Sequence, residues 1–190
     1  MGILFEMIFV ILVVVLIYLV LCNVFAKKKG RNRTRIDRKR EFFIGVFVAY
    51  ITFMVFILFL IHMGGLDIFI DKGFFNPIYR IQNNIGVNLI PFKTITDIYN
   101  YSASPSVVTN NIFGNIILFI PVSLLMVLLW PRWRRVRNMV LFSVLIPILI
   151  ETIQLFIGRA VDIDDVILNF IGLMIGFLAG KFLSHIFKGR

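Results

Sequence analysis

Five apolar runs, each about as long as a bilayer core is thick, constrain this chain of 190 residues more than any other feature. They extend approximately from Ile3 to Ala26, Phe42 to His62, Ile112 to Trp130, Asn138 to Ile157 and Val166 to Phe187. An α-helix rises about 1.5 Å per residue, so roughly 20 apolar residues cross a hydrocarbon core of about 30 Å. Lipid offers no partner to a bare backbone N–H or C=O, which makes each such run helical. The pattern predicts an all-α integral membrane protein, a bundle of about five transmembrane helices. Composition agrees: 59% of the residues are hydrophobic and 16% are charged, against about 45–50% and about 25% in soluble domains. A soluble enzyme is excluded.

Charge placement orients the bundle. Nine Lys and Arg fall between Lys27 and Arg40, four between Arg132 and Arg137, and three more from Lys181 onward, so 16 of the 20 lie on one side of a five-fold crossing. Cytoplasmic loops carry such an excess, which predicts a multi-pass membrane protein with its N-terminus outside and its C-terminus in the cytoplasm. The first run has Glu6 ahead of it and Lys27 to Lys29 behind it, the reverse of a signal peptide, and reads as a retained helix. The net charge of +10 suits anionic lipid rather than nucleic acid, since no aromatic residue interleaves the basic loop. The lone Cys22 sits inside an apolar run and reads as a small buried hydrophobe.

Three parts follow from this layout: residues 1–62 with two helices and the polybasic loop, residues 63–187 with an outer segment and three helices, and a short tail at 188–190. The stretch from Met63 to Asn111 is too apolar for a free loop. Pro77, Pro91 and several asparagines interrupt it too often for a crossing. It is predicted to be interfacial or partly re-entrant.

Ionisable and amide groups inside apolar runs are costly and therefore mark candidate sites. Glu151 and Gln154 lie three residues apart on one face of the fourth run. Arg159, Asp162, Asp164 and Asp165 follow just before the fifth run. Asp162, Asp165, Asn169, Gly172 and Gly176 step by three and four, the spacing of one helical stripe. Capping by Asp162 and close packing at Gly172, Gly176 and Gly180 account for part of that stripe. They do not account for Asn169, nor for one arginine and several acids gathered at one depth. Asn115, Asn110 and Asn111 add amides at the same end of the membrane, and Pro121 and Pro147 can bend their helices to open a cavity. No phosphate loop, His-Glu-x-x-His or cysteine pair occurs, so no metal or cofactor is expected.

The residues Asn88-Leu-Ile-Pro-Phe92, Gly114-Asn115 through Phe119-Ile-Pro121, Ser143, Ile150-Glu151-x-x-Gln154, Arg159, Asp162, Asp165, Asn169, Gly172 and Gly176 occur in this order. In them the chain resembles the VanZ-like family over roughly residues 85 to 180. It departs at Val122-Ser123, where the family often has glycine. The resemblance implies a bacterial envelope protein. The family's named member is associated with low-level resistance to teicoplanin, without the peptidoglycan-precursor change made by its companion resistance proteins. It carries over Asn115, Pro121, Glu151, Gln154, Arg159, Asp162, Asp165 and Asn169 as motif positions.

Two functions fit these residues. In the first, an outward-facing polar pocket binds an amphipathic envelope lipid or a lipoglycopeptide, with Asn115, Gln154, Arg159 and Asn169 as ligand-binding residues and membrane lipids as partners. In the second, a membrane-embedded enzyme acts on a lipid-linked envelope substrate at the outer leaflet. Glu151, Asp162 and Asp165 would then be its catalytic carboxylates, beside Arg159. A structural ion-pair network would use the same residues.

Overall fold

The computed structural model describes residues 8, 10–18, 35–60, 77–83, 86–101 and 105–188, with backbone only at 35–39, 60, 79–80, 98–99, 101, 105–111 and 187–188. These belong to two compact units, Met1–Phe69 and Ile70–Arg190. In the first, residues 10–18 are helical, and α1 (Arg35–Val55) passes into a π-helical turn at Phe56–Leu60. The α1 helix begins seven residues ahead of the apolar run at Phe42, inside the basic segment, where Arg and Lys are good helix formers. Tyr18 rests on it: the hydroxyl donates to the Glu41 carbonyl at 3.2 Å, and its ring faces the bare Cα of Gly45. The remainder of the first apolar run, and the stretch 61–76, lie outside the described residues.

In the second unit come α2 (Pro77–Gln82), β1 (Val87–Asn88), α3 (Lys93–Tyr101), α4 (Pro105–Leu129), a 3-10 turn at Pro131–Arg134, α5 (Val136–Phe156), β2 (Val161–Asp162) and α6 (Ile163–Lys188). Among the described residues four helical stretches are long and apolar enough to cross a membrane: Arg40–Phe59, Ile112–Leu129, Val136–Phe156 and Ile163–Ile186. The all-α membrane bundle expected from the five runs is thus the observed fold class. Both α4 and α5 continue as helix through Pro121 and Pro147.

Burial departs from that of a soluble bundle, although Phe119, Leu173 and Phe177 are buried as in any core. Leu145, Leu149, Phe156, Leu178 and Phe182 are exposed, while Ser123, Ser143, Glu151, Gln154, Asp164 and Asn169 are buried. Apolar side chains turned outward need lipid around them, and polar side chains turned inward need one another.

The parallel helices α4 and α6 form the tightest seam. A Cβ on Gly172 would sit 2.3 Å from the Ile116 carbonyl oxygen, and one on Gly176 2.1 Å from that of Ile120. At Gly180 it would meet the Val127 Cβ at 2.9 Å. Three glycines at four-residue spacing therefore let two backbones touch, the packing solution of membranes, where close contact replaces the hydrophobic drive. Ser123 is fully buried in this seam, 2.3 Å from the position a Gly176 Cβ would take. At the far end of α4, Arg134 Nε donates to the Val127 carbonyl at 3.1 Å, placing a cation on the helix C-terminus.

Candidate functional site

A tight reversal between α5 and α6 gathers the polar residues. Gly158, at φ 80, follows the end of α5. The Gly158 N–H donates to the Leu155 carbonyl at 3.3 Å, and the Arg159 N–H to the Gln154 carbonyl at 2.9 Å. These two bonds make a Schellman motif, which needs the left-handed backbone that glycine adopts without a steric penalty. It turns the chain back at once, so Arg159 emerges beside the α5 terminus it has just left.

The next residues are extended rather than helical. Val161 and Asp162 form β2, which pairs in parallel with β1 in the register Val87 to Val161 and Asn88 to Asp162. The Val161 N–H donates to the Gly86 carbonyl at 2.8 Å. Asp162 therefore does not belong to the helical stripe expected of it, which begins at Asp165. It is the N-cap of α6: its Oδ1 accepts the Asp164 N–H at 2.9 Å and the Asn88 Nδ2 at 3.0 Å. Its own N–H donates to Glu151 Oε2 at 3.0 Å. Glu151 thus reaches across the reversal and holds the start of the next helix, satisfying a backbone donor that lipid could not.

Asp165, three residues on, accepts the Asn115 Nδ2 at 2.5 Å, tying α6 to α4. Both Glu151 and Asp165 act electrostatically on Arg159. Burial lowers the Arg159 pKa from its ordinary value, and the two carboxylates counter part of that shift. Gln154 is buried on the α5 face that carries Glu151. Asn169, one turn below Asp165 on the α6 stripe, is 2% exposed, and its Oδ1 has no hydrogen-bond partner among the described residues. The structure therefore joins Glu151, Asp162, Asp165, Asn115 and Arg159 at one end of the bundle. Gln154 lies in the α5 wall of this end and Asn169 at its inner edge. The side chains of Asn110 and Asn111 lie outside the described residues.

A model of the VanZ/LLP1 family matches residues 46–184, most of the chain. The protein belongs to this family. No curated protein and no solved structure matches the chain. It is thus a membrane protein of the family whose named member is associated with low-level teicoplanin resistance. The match takes in the α1 apolar run, well upstream of residue 85 where the resemblance in sequence begins.

Two residues of this VanZ/LLP1 protein matter more than their sequence positions indicated. Asp164, 1% exposed, accepts the Phe92 N–H on Oδ1 and the Ile95 N–H on Oδ2, the latter at 3.2 Å. A carboxylate from α6 thereby caps the N-terminus of α3, a favourable charge at the positive end of that helix. Asn88 donates to Thr94 Oγ1 at 2.9 Å as well as to Asp162, and its Oδ1 accepts the Ile90 N–H at 3.1 Å. Phe92 is held at φ 63, a strained backbone for a bulky residue, and the Asp164 bond fixes it there. The Asn-Leu-Ile-Pro-Phe motif was the available signal. It presents Leu89, Ile90 and Phe92 to the surroundings while Asn88 anchors the segment to Asp162.

Among the described residues no group of three or more His, Cys, Asp or Glu could hold a metal ion.

Proposed function

We propose that the polar end of the α4–α6 bundle faces the outer leaflet and binds the head group of an amphipathic envelope lipid or lipoglycopeptide. The acyl chain then lies along the exposed apolar faces of the helices. The N-terminus is outside and the C-terminus cytoplasmic, because that orientation puts the basic loops in the cytoplasm. The observation that carries the reading is the convergence of Glu151 and Asp165 on Arg159 at the end of α5 and the start of α6, the helices that also bury Gln154 and Asn169. An ion-pair network that only braced the helices would have no use for the unpartnered acceptor of Asn169. The apolar residues Leu89, Ile90 and Phe92 supply a lipid-facing edge beside the same carboxylates.

Resistance tests the reading. Cells expressing the protein gain protection against teicoplanin, which bears an acyl chain, and gain none against a glycopeptide lacking one. Equal protection against both, or against neither, removes the amphiphile from the account.

A second reading rests on Glu151 and Asp165 both bearing on Arg159, the arrangement an enzyme uses to move a proton and stabilise charge on a lipid-linked substrate. Lipid extracts of cells with and without the protein separate the two. An enzyme makes one envelope lipid accumulate or vanish, whereas a binding protein leaves the profile flat.

A further inference from the structure

We infer that the head group taken by this site carries a primary ammonium. The inference rests on the head-group reading above and specifies its ligand.

The first observation is an imbalance of charge. Residues 151–169 hold four carboxylates, Glu151, Asp162, Asp164 and Asp165, against one guanidinium, Arg159. Among the described side chains the packed neighbours do not correct this. The α4 helix has no charged residue, and α3 adds Lys93 and Asp97, which cancel. Asp162 and Asp164 are engaged with the backbone and with Asn88. Glu151 and Asp165 each accept one hydrogen bond, from the Asp162 N–H and the Asn115 amide, and are the two carboxylates that bear on the single arginine.

The second observation is independent of charge. Asn169 Oδ1 is buried with no donor among the described residues, one helical turn from Asp165 on the same face. A buried carbonyl oxygen without a donor costs free energy, and replacing it by an apolar group would remove that cost. Its presence asks for a guest that brings N–H or O–H groups. A water molecule would supply the donor but no charge. A divalent metal would supply charge, yet no three acidic or imidazole ligands among the described residues could hold one. An anionic head group would add to the carboxylate excess. A primary ammonium brings three N–H donors and one positive charge, which matches an orphan amide oxygen one helical turn from Asp165 and a site with more carboxylates than cations. A quaternary ammonium has the charge without the donors, and this difference makes the inference testable.

The test uses the full-length protein in detergent, titrated with three short-chain probes that share their acyl chains: dihexanoyl phosphatidylethanolamine, phosphatidylcholine and phosphatidylglycerol. A second arm uses an acylated glycopeptide with its amines free or acetylated. The ethanolamine lipid binds at least tenfold more tightly than the other two lipids, or the free-amine glycopeptide at least tenfold more tightly than its acetylated form. Whichever arm shows the preference names the source of the ammonium. In Asn169→Leu and Asp165→Asn the preference falls to within threefold of parity. Asn169→Leu keeps a melting temperature at or above that of the unaltered protein, since it removes an unpaired acceptor. Should it fail to fold, the isosteric Asp165→Asn carries the test. Equal binding of choline and ethanolamine lipids, tighter binding of the glycerol lipid, or a preference untouched by both variants overturns the ammonium while leaving a head-group site standing. No binding in either arm overturns the head-group reading and this inference together.

Discussion

Two ends of the α4–α6 pair obey opposite rules. Along Gly172, Gly176 and Gly180 the helices touch backbone to backbone, with no room for one further carbon. At Asp165 and Asn115 the same two helices are joined by side chains reaching over a gap. The glycine seam is limited by volume. The polar end is limited by hydrogen bonds and charge, and α5 and the Asn88 segment contribute as much to it as α4 does. A substitution that is harmless under one rule is therefore severe under the other.

The largest effect belongs to the seam. Gly176→Ala puts a carbon 2.1 Å from the Ile120 carbonyl oxygen and 2.3 Å from Ser123 Oγ, and one of these contacts is backbone that cannot rotate away. Overpacking of this kind costs about 1–3 kcal/mol or more. The expected outcome is a lowered melting temperature and a reduced monodisperse peak on size exclusion, partly restored by Ser123→Gly. Unchanged behaviour would mean that the helices are further apart than the seam implies.

Next comes the cap on α3. Asp164→Ala strands the Phe92 and Ile95 N–H groups and releases the strained backbone at Phe92, at a cost of about 2 kcal/mol. Asp164→Asn retains acceptor capacity and should lose about half as much. A cysteine at Ile90, labelled with a thiol reagent in each background, should react faster in the alanine variant. Equal rates would show that Asp164 does not hold the segment.

Glu151→Gln sharpens the contrast further. Glutamine keeps the volume and an acceptor for the Asp162 N–H, so folding changes by less than about 1 kcal/mol. Under the proposed function the variant nevertheless loses protection against the acylated glycopeptide at unchanged membrane abundance. A fall in abundance that tracks the phenotype would return Glu151 to a structural role.

The smallest effect is expected at Ser143, fully buried with a hydroxyl that has no partner among the described residues. Ser143→Ala removes a polar atom that has no partner, so stability should be unchanged or higher by up to about 1 kcal/mol. A clear loss in melting temperature would instead reveal a hydrogen bond at Ser143.

Much of this was legible in the residues. Glu151 and Gln154 share a face because their spacing is helical, and both are buried as that face requires. The glycines announce a close seam by their four-residue steps. The acids of the reversal were harder to sort, because Asp162, Asp164 and Asp165 lie within four residues and differ by a single step of backbone. The start of α6 at Ile163 decides among them: it leaves Asp162 extended as the cap, turns Asp164 toward α3 and Asp165 toward α4. Asn88 lies 74 residues from Asp162, and no local pattern could have paired them.

Hydrophobic run length, glycine spacing and basic-loop asymmetry are properties of neighbouring residues, so the chain itself determined a helical membrane bundle with a polar end and a tight seam. Which carboxylate meets which donor depends on the relative placement of α3, α4, α5 and α6. Only the tertiary structure decided that, because a hydrogen bond extends barely 3 Å and a one-residue shift of a helix start turns its side chains by about 100°.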